Sequence, residues 1–101
     1  LKDITGKELG PAWDASVEEV RADALFTLGR QEEAMAVLTS LADRWPEDEE
    51  AQLPAWLGLA DMHRAIGENQ KALAWANLAK DTAKDPHYKD RAISLIQGLD
   101  Q

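Results

Sequence analysis

The sequence predicts an all-helical protein built from tandem antiparallel helical hairpins, and three observations support this fold class. Apolar residues recur at intervals of three and four, which is the period of an amphipathic helix. No stretch alternates apolar and polar residues as a half-buried strand does. The four prolines and six glycines stand between the apolar segments or near their ends, where they separate one helix from the next.

The first hairpin is predicted from helices over residues 15–28 and 31–45, separated by Gly29. Ser16 followed by Glu19 matches a capping box, in which each side chain hydrogen-bonds a backbone N–H that the helix end leaves free. The buried face of the first helix is predicted from apolar residues at helical spacing, namely Val17, Val20, Ala24 and Leu28. The corresponding face of the second helix comprises Ala34, Val37, Leu38, Leu41 and Trp45.

A third helix is predicted over residues 48–66. It begins in the acidic run at residues 47–50, which complements the positive end of the helix dipole. Pro54 lies inside it, and an interior proline loses a backbone hydrogen bond at a cost of about 3 kcal/mol. We therefore expect one helix that is kinked at Pro54, with a fresh helix start at Pro54 as the alternative.

Two further helices follow. Gly67 ends the third helix, and a fourth is predicted over residues 69–84. Asp85 and Pro86 then supply an N-cap and a first-turn proline, which predict a fifth helix over residues 86–99.

The two hairpins are copies of one repeat. Gly29 and Gly67 stand at equivalent places in the two copies, and each supplies the permissive backbone of a tight interhelical turn. Small residues recur at the same spacing, where the two helices of a hairpin must approach closely: Ala22 with Ala34 in the first copy, and Ala60 with Ala72 in the second.

The second copy resembles the consensus of the tetratricopeptide repeat family. Trp56 stands at the aromatic position of the consensus, and Leu59-Ala60 stands for its Leu-Gly pair. Gly67 and Ala72 match the small residues that follow. His63 stands where the family usually has tyrosine. In the first copy, Glu18 replaces the tryptophan and Arg21 the leucine. The resemblance covers about residues 15–86.

This resemblance implies a superhelix of two repeats, closed by a C-terminal capping helix. The family repeat is about 34 residues long, so the wider spacing of 38 found here implies roughly one additional helical turn. The longer spacing, with Trp45-Pro46 followed by acidic residues, is similar to repeats of bacterial cell-envelope assembly proteins. The predicted organisation is a stub or linker at 1–13 and a domain at 14–101, with repeat one at 14–46, repeat two at 48–84 and the capping helix at 86–99.

Charge and hydropathy exclude two classes of partner. The formal net charge is −8; residues 1–50 hold 13 Asp and Glu against 5 Lys and Arg, whereas residues 51–101 hold 6 of each. No cluster of Lys and Arg exists that would displace counterions from a nucleic acid, so we expect no nucleic-acid partner. No apolar run approaches the roughly 20 residues that a bilayer requires, which predicts no direct membrane insertion.

The residue types that carry catalysis or metal binding are sparse or wrongly spaced. Cysteine is absent, and His63 and His87 have no second ligand at helical spacing. No serine or glycine pattern matches a catalytic or phosphate-binding motif. We therefore predict no enzyme activity, no metal site and no cofactor. The chain carries nothing that identifies its compartment, and the resemblance fits the bacterial cytoplasm or periplasm.

The resemblance also implies a concave groove, lined by one face of the first helix of each repeat. By alignment that face holds Glu19, Asp23, Phe26 and Thr27 in repeat one, and Leu57, Asp61, Arg64 and Ala65 in repeat two. Some family members clamp a peptide's terminal carboxylate with Lys, Asn and Arg at these positions. Here Glu19 and Leu57 stand at the Lys position, and aspartates stand at the Asn position. We therefore expect no carboxylate clamp.

The function predicted from the sequence is a scaffold or adaptor that binds a protein or peptide in this groove. Because the predicted groove is mainly acidic, the partner segment is expected to be basic or amphipathic. The alternative is a structural or oligomerisation segment of a larger repeat protein, in which a second copy or another part of the parent chain fills the groove.

Overall fold

The computed structural model describes residues 10–99, which form five α-helices and contain no strand. Short connectors join the helices, and helices adjacent in the chain pack antiparallel. The all-α prediction is confirmed. The helices are α1 (Pro11–Thr27), α2 (Gln31–Arg44), α3 (Glu49–Ala65), α4 (Asn69–Thr82) and α5 (Pro86–Leu99).

The helix α3 is central to the packing. It contacts each of the other four helices, because α1 and α2 lie on one side of it and α4 and α5 on the other. One apolar cluster joins α3 to the first hairpin, and a second joins it to α4 and α5. Trp56 packs against both clusters. Trp56, which was predicted to be a structural residue of the repeat, therefore lies at the junction of the two hairpins.

Pro54 does not interrupt α3. The helix is continuous from Glu49 to Ala65, so the alternative of a fresh start at Pro54 is wrong. Pro54 is itself buried, as are seven other residues of this helix. The packing of α3 against its neighbours thus offsets the backbone hydrogen bond that the proline cannot make.

The two interhelical turns have the same geometry. Gly29 and Gly67 adopt φ values of 86° and 84°, in the left-handed region that favours glycine. In each turn the residue after the glycine donates its N–H to the carbonyl oxygen five positions earlier, at 2.9 Å for Arg30 and 2.8 Å for Glu68. This hydrogen bond belongs to the Schellman motif that ends many helices. The predicted role of both glycines is confirmed.

The small-residue positions of the repeat lie at the helix crossings, as predicted. Leu59 is 2% exposed, and four alanines are fully buried: Ala22, Ala34, Ala60 and Ala72. At these crossings a side chain larger than the methyl group of alanine would displace the facing helix.

The start of α1 differs from the prediction. The helix begins at Pro11, with Gly10 as the N-cap residue and proline in the first turn. Ser16 lies within the helix, and its hydroxyl donates to the carbonyl oxygen of Ala12 at 3.1 Å, so the predicted capping box is wrong. Residues 11–13 of the predicted stub therefore belong to α1, and residues 1–9 lie outside the described part of the chain.

The predicted buried face of α1 is also wrong. Val17, Val20 and Leu28 are 42%, 71% and 73% exposed. The residues of α1 that face inward are instead Asp14, Ala15, Glu18 and Ala22. The helix carries two candidate faces, and the buried one has fewer large apolar residues. Its alanines join the first apolar cluster, and its carboxylates have partners at the end of α2.

Those partners form a network at the open end of the first hairpin. The Asp14 carboxylate accepts hydrogen bonds from Arg44 Nε at 3.0 Å, from Arg44 Nη2 at 3.1 Å and from Trp45 Nε1 at 2.8 Å. Glu18 lies 3.5 Å from the same guanidinium. Asp14 is only 4% exposed, so its charge is compensated inside the fold and not by solvent.

The fifth helix begins as predicted. The His87 N–H donates to Asp85 Oδ1 at 2.9 Å, which is the N-cap hydrogen bond expected of the Asp-Pro pair. The Glu49 carboxylate accepts the backbone N–H groups of Lys84 and Asp85 at 2.8 and 2.9 Å. One residue of the acidic run thus attaches the start of α3 to the connector that positions α5.

Candidate interaction cleft

A cleft of about 500 Å³ lies where α1, α3 and α5 approach one another. Because α1 and α3 occupy equivalent positions in the repeat, they run side by side and contribute matching positions to its walls. Asp23 and Asp61, which are equivalent residues of the two repeats, both line it. The complete lining is Glu19, Asp23, Phe26, Thr27, Leu38, Gly58, Asp61, Met62, Ala65 and Arg91.

The structure brings most of the predicted groove residues together, but not all of them. Glu19, Asp23, Phe26 and Asp61 line the cleft. Leu57 does not: it is fully buried in the apolar cluster between α3 and α5, so the prediction that it contacts a partner is wrong. Leu57 stands one residue before the cleft residue Gly58, so it points about 100° away from the cleft, and α5 covers that direction.

Arg64 also lies outside the cleft lining. Its guanidinium extends toward the end of α5, where Nη2 lies 3.5 Å from the position that a Cβ on Gly98 would occupy. Arg64 remains close enough to Asp61 to lower that residue's pKa by electrostatic attraction, which opposes the larger effect of burial. It therefore modifies the cleft's charge without forming its wall.

Arg91 is a cleft residue that the sequence analysis missed. It lies on α5, outside the two repeats, and no repeat position aligns it with the groove. It is the one cation in the cleft lining, opposite Glu19, Asp23 and Asp61. The lining therefore has three acids and one cation, the same balance as the predicted groove, with Arg91 in the place expected for Arg64.

Burial raises the pKa of two of the three carboxyl groups. For Glu19 and Asp61 the largest cause is partial loss of solvent within the cleft, and the neighbouring Asp23 carboxylate raises both pKa values further. Arg91 opposes the rise at both sites. The single positive charge of Arg91 thus balances only part of the negative charge of the three acids.

The floor of the cleft is apolar. Phe26, Leu38 and Met62 supply it, and the latter two belong to the first core cluster. Gly58 lets the Leu38 side chain pack into the floor, because a Cβ at this position would lie 2.8 Å from Cδ1 of Leu38. An acidic wall above an apolar floor accommodates a segment that carries both cationic and apolar groups.

The cleft continues along α5 into a second depression of about 360 Å³. Asp61 and Arg91 line both depressions, so they form the boundary between them. The second is lined also by His87, Asp90, Ser94 and Leu95.

No group of three or more His, Asp or Glu residues within residues 10–99 is arranged to hold a metal ion. None of the helices α1–α5 combines the length and the apolar character needed to cross a bilayer.

Comparisons of the chain with protein-family models, with curated proteins and with solved structures give no match. The geometry and charge of the cleft therefore provide the evidence for function.

Proposed function

We propose that this domain is a tetratricopeptide-like interaction scaffold without catalytic activity, which binds a basic or amphipathic protein segment in the cleft. The observation that carries the proposal is the group of three carboxylates at Glu19, Asp23 and Asp61, of which Glu19 and Asp61 are partly desolvated. Arg91 is the one cation in the cleft lining, and Arg64 attracts the Asp61 carboxylate from outside it. The glycine turns and buried alanines, which recur at matching places in both hairpins, support the family resemblance.

A cationic side chain of a partner relieves an unfavourable feature of the free domain. Burial disfavours the ionised forms of Glu19 and Asp61, and a nearby Lys or Arg favours them again. The cation is therefore attracted both by the net charge of the cleft and by the incomplete solvation of these two carboxylates. An acidic segment would add repulsion and find only Arg91 as a partner.

Apolar contact supplies what charge alone does not. Exposed charges direct association and specificity more than they add affinity. Salt largely screens the interaction of exposed charges that lie farther apart than about 8–10 Å. Phe26 is partly exposed and belongs to the cleft floor, so it offers an apolar surface to the same segment. We expect weak, salt-sensitive binding with a contribution from apolar side chains.

The test uses two labelled model peptides of equal length, one of lysine and leucine and one of glutamate and leucine. Fluorescence anisotropy should show saturable binding of the lysine peptide, weaker binding as salt rises, and no binding of the glutamate peptide. Reversing both aspartates, Asp23→Lys with Asp61→Lys, should weaken binding about tenfold or more, since two attractions become repulsions.

The matched control reverses two exposed acids outside the cleft, Glu32→Lys with Asp81→Lys. This variant has the same net charge as the cleft variant. If both variants lose the lysine peptide equally, the attraction is a property of total charge and the cleft proposal fails. Equal binding of the glutamate peptide would also overturn it. Circular dichroism and thermal melts establish that both variants remain folded.

A specific observation favours the alternative function, a structural or oligomerisation segment. The helix α1 carries a row of exposed apolar residues on a face away from the cleft. Because that face is separate from the cleft, a segment bound there would leave the cleft either occupied or empty.

A further inference from the structure

The apolar residues of α1 form a continuous exposed row, which we call the outer stripe: Trp13, Val17, Val20, Ala24 and Leu28. Its four large members are between 42% and 73% exposed. Elsewhere in residues 10–99, only Ile66 and Leu78 are large apolar residues exposed to 36% or more, and they stand singly. Scattered apolar residues are normal on a surface, whereas a contiguous row of them marks an interface.

The internal repeat shows what covers the same row in the second hairpin. The equivalent positions of the second copy form a matching stripe along α3 and its C-cap: Ala51, Ala55, Gly58, Met62 and Ile66. Ala51 and Ala55 are fully buried and Met62 is 5% exposed, in the cluster that contains Leu38 and Leu41 of α2. The equivalent of the outer stripe is therefore an established helix–helix interface within this molecule.

Two interfaces pair large side chains with small ones: the one between the two hairpins, and the one between the second hairpin and α5. Leu38 of α2 packs against Gly58 of α3, where no Cβ is accommodated without displacing it. On the other side of the molecule, Ala79 of α4 and the adjoining Ala83 lie in one cluster with Tyr88 and Leu95 of α5. In both places the small residue makes room for the large one, which lets the two helix backbones approach closely.

We propose that the outer stripe is a docking site for an amphipathic helix with an alanine-rich apolar face, supplied by another polypeptide segment. The stripe is large at Trp13, Val17, Val20 and Leu28, in contrast to the small residues at most of the equivalent positions of α3. Its complement is thus a face of the kind that α4 presents to α5, and not the leucine face of α2. This site is separate from the cleft, since Glu19 and Asp23 point to another side of α1.

A folded second copy of this domain does not supply such a face. The alanines of α4 at positions 72, 76 and 79 are fully buried in their own chain. A segment whose alanine face is not already buried is therefore the occupant.

The probe is a synthetic peptide of residues 68–84, the alanine-rich α4 sequence, held helical by a lactam bridge on its polar face. Titrated into the ¹⁵N-labelled full chain, it should shift amide signals of residues 13–28 and the indole signal of Trp13, with saturation. Val20→Asp should weaken binding about tenfold or more, because a carboxylate would lose its solvent in the interface. Since Val20 is 71% exposed, this variant is expected to fold normally.

Two controls make the result specific. Leu78→Asp places the same charge at an apolar residue that is 41% exposed on α4, and it should leave binding unchanged. A bridged peptide of residues 31–45, with the leucine face of α2, should bind at least about fivefold more weakly.

Three outcomes would overturn the proposal. Signals that shift in α3 and α5, and not in α1, would mean that the peptide exchanges with α4. Equal or tighter binding of the 31–45 peptide would show that the outer stripe does not prefer a face of small side chains. A dimer in sedimentation velocity that dissociates on Val20→Asp would show that a second copy occupies the stripe.

Discussion

The two hairpins have the same turns and the same alanine crossings, but different contacts hold their open ends together. In the first hairpin, Asp14 and Glu18 of α1 are joined to Arg44 and Trp45 at the end of α2. In the second, the equivalent positions hold Gln52, Trp56, Thr82 and Ala83, and the contacts are mainly apolar. The repeat therefore specifies where two helices meet, while each copy stabilises that meeting with its own chemistry.

The hairpins also differ in what surrounds them. The first helix of the second hairpin, α3, has helices on both sides, and α1 has neighbours on one side only. The same stripe position is therefore solvent-facing in α1 and core in α3. Four predictions probe this contrast between the hairpins.

The largest expected effect is at Asp14. Asp14→Ala removes three hydrogen bonds and leaves the guanidinium of Arg44 with only Glu18 nearby, which should lower the free energy of unfolding by about 3 kcal/mol. The equivalent change in the second hairpin, Gln52→Ala, should cost less than about 1 kcal/mol, because its hydrogen bond to the Pro46 carbonyl is exposed. Urea unfolding of both variants measures the contrast. Equal losses would mean that the network does not distinguish the hairpins.

Overpacking at the alanine crossings should have the next largest effect. Ala60→Leu and Ala72→Leu should each cost about 1–3 kcal/mol, because both alanines are fully buried and a larger side chain would have to displace its neighbours. Ala22→Leu should cost less than Ala60→Leu, since α1 has an open side on which to shift. Ala74→Leu, at an exposed position of α4, is the control and should melt like the wild type. Wild-type melting of Ala60→Leu would contradict the assigned crossing.

The glycine turns should respond equally in the two hairpins. Gly29→Ala and Gly67→Ala each place a Cβ on a residue with positive φ, at a cost of about 1 kcal/mol. No heavy atom outside the chain neighbours lies within 4 Å of the added Cβ at either site, so backbone conformation is the sole cause. Guanidinium unfolding compares the two variants. A difference larger than about 1 kcal/mol would show that the turns are not equivalent.

The smallest expected effect is electrostatic, at the cleft between the hairpins. Because the folded state raises the pKa of Asp61, it binds this proton more tightly than the unfolded chain does. The contribution of Asp61 to stability is therefore present below its unfolded pKa and lost as pH rises through the folded pKa. Asp61→Asn should accordingly raise the melting temperature slightly at pH 7, and this gain should shrink as pH falls toward 4. Glu19→Gln should behave in the same way, since burial also raises its pKa.

Melts from pH 4 to pH 7 measure this dependence, with Asp81→Asn on the surface of α4 as the control. A melting temperature of Asp61→Asn that falls below wild type at pH 7 would mean that the carboxylate stabilises the fold, contrary to the direction of its pKa shift.

Local signals in the sequence were reliable where one residue determines the backbone. Gly29 and Gly67 end their helices because only glycine adopts positive φ without cost, and Asp85 caps α5 because its carboxylate reaches the N–H two residues later. The Ser16 capping box failed for a related reason. Two start signals competed, and the Gly10–Pro11 pair lies earlier in the chain, so the helix had begun before Ser16.

The helices, the turns and the alanine crossings follow from the sequence alone, since they depend on residues that are near one another or repeat at one spacing. Which side of α1 is buried depends instead on the packed fold. Apolar periodicity favoured the stripe with Val17 and Val20, but the partners of Asp14 are distant in the chain, at Arg44 and Trp45. The same holds for Arg91 in the cleft and for Leu57 beneath α5. Both placements depend on how a helix outside the repeats docks, which is a property of the assembled packing and not of any local pattern.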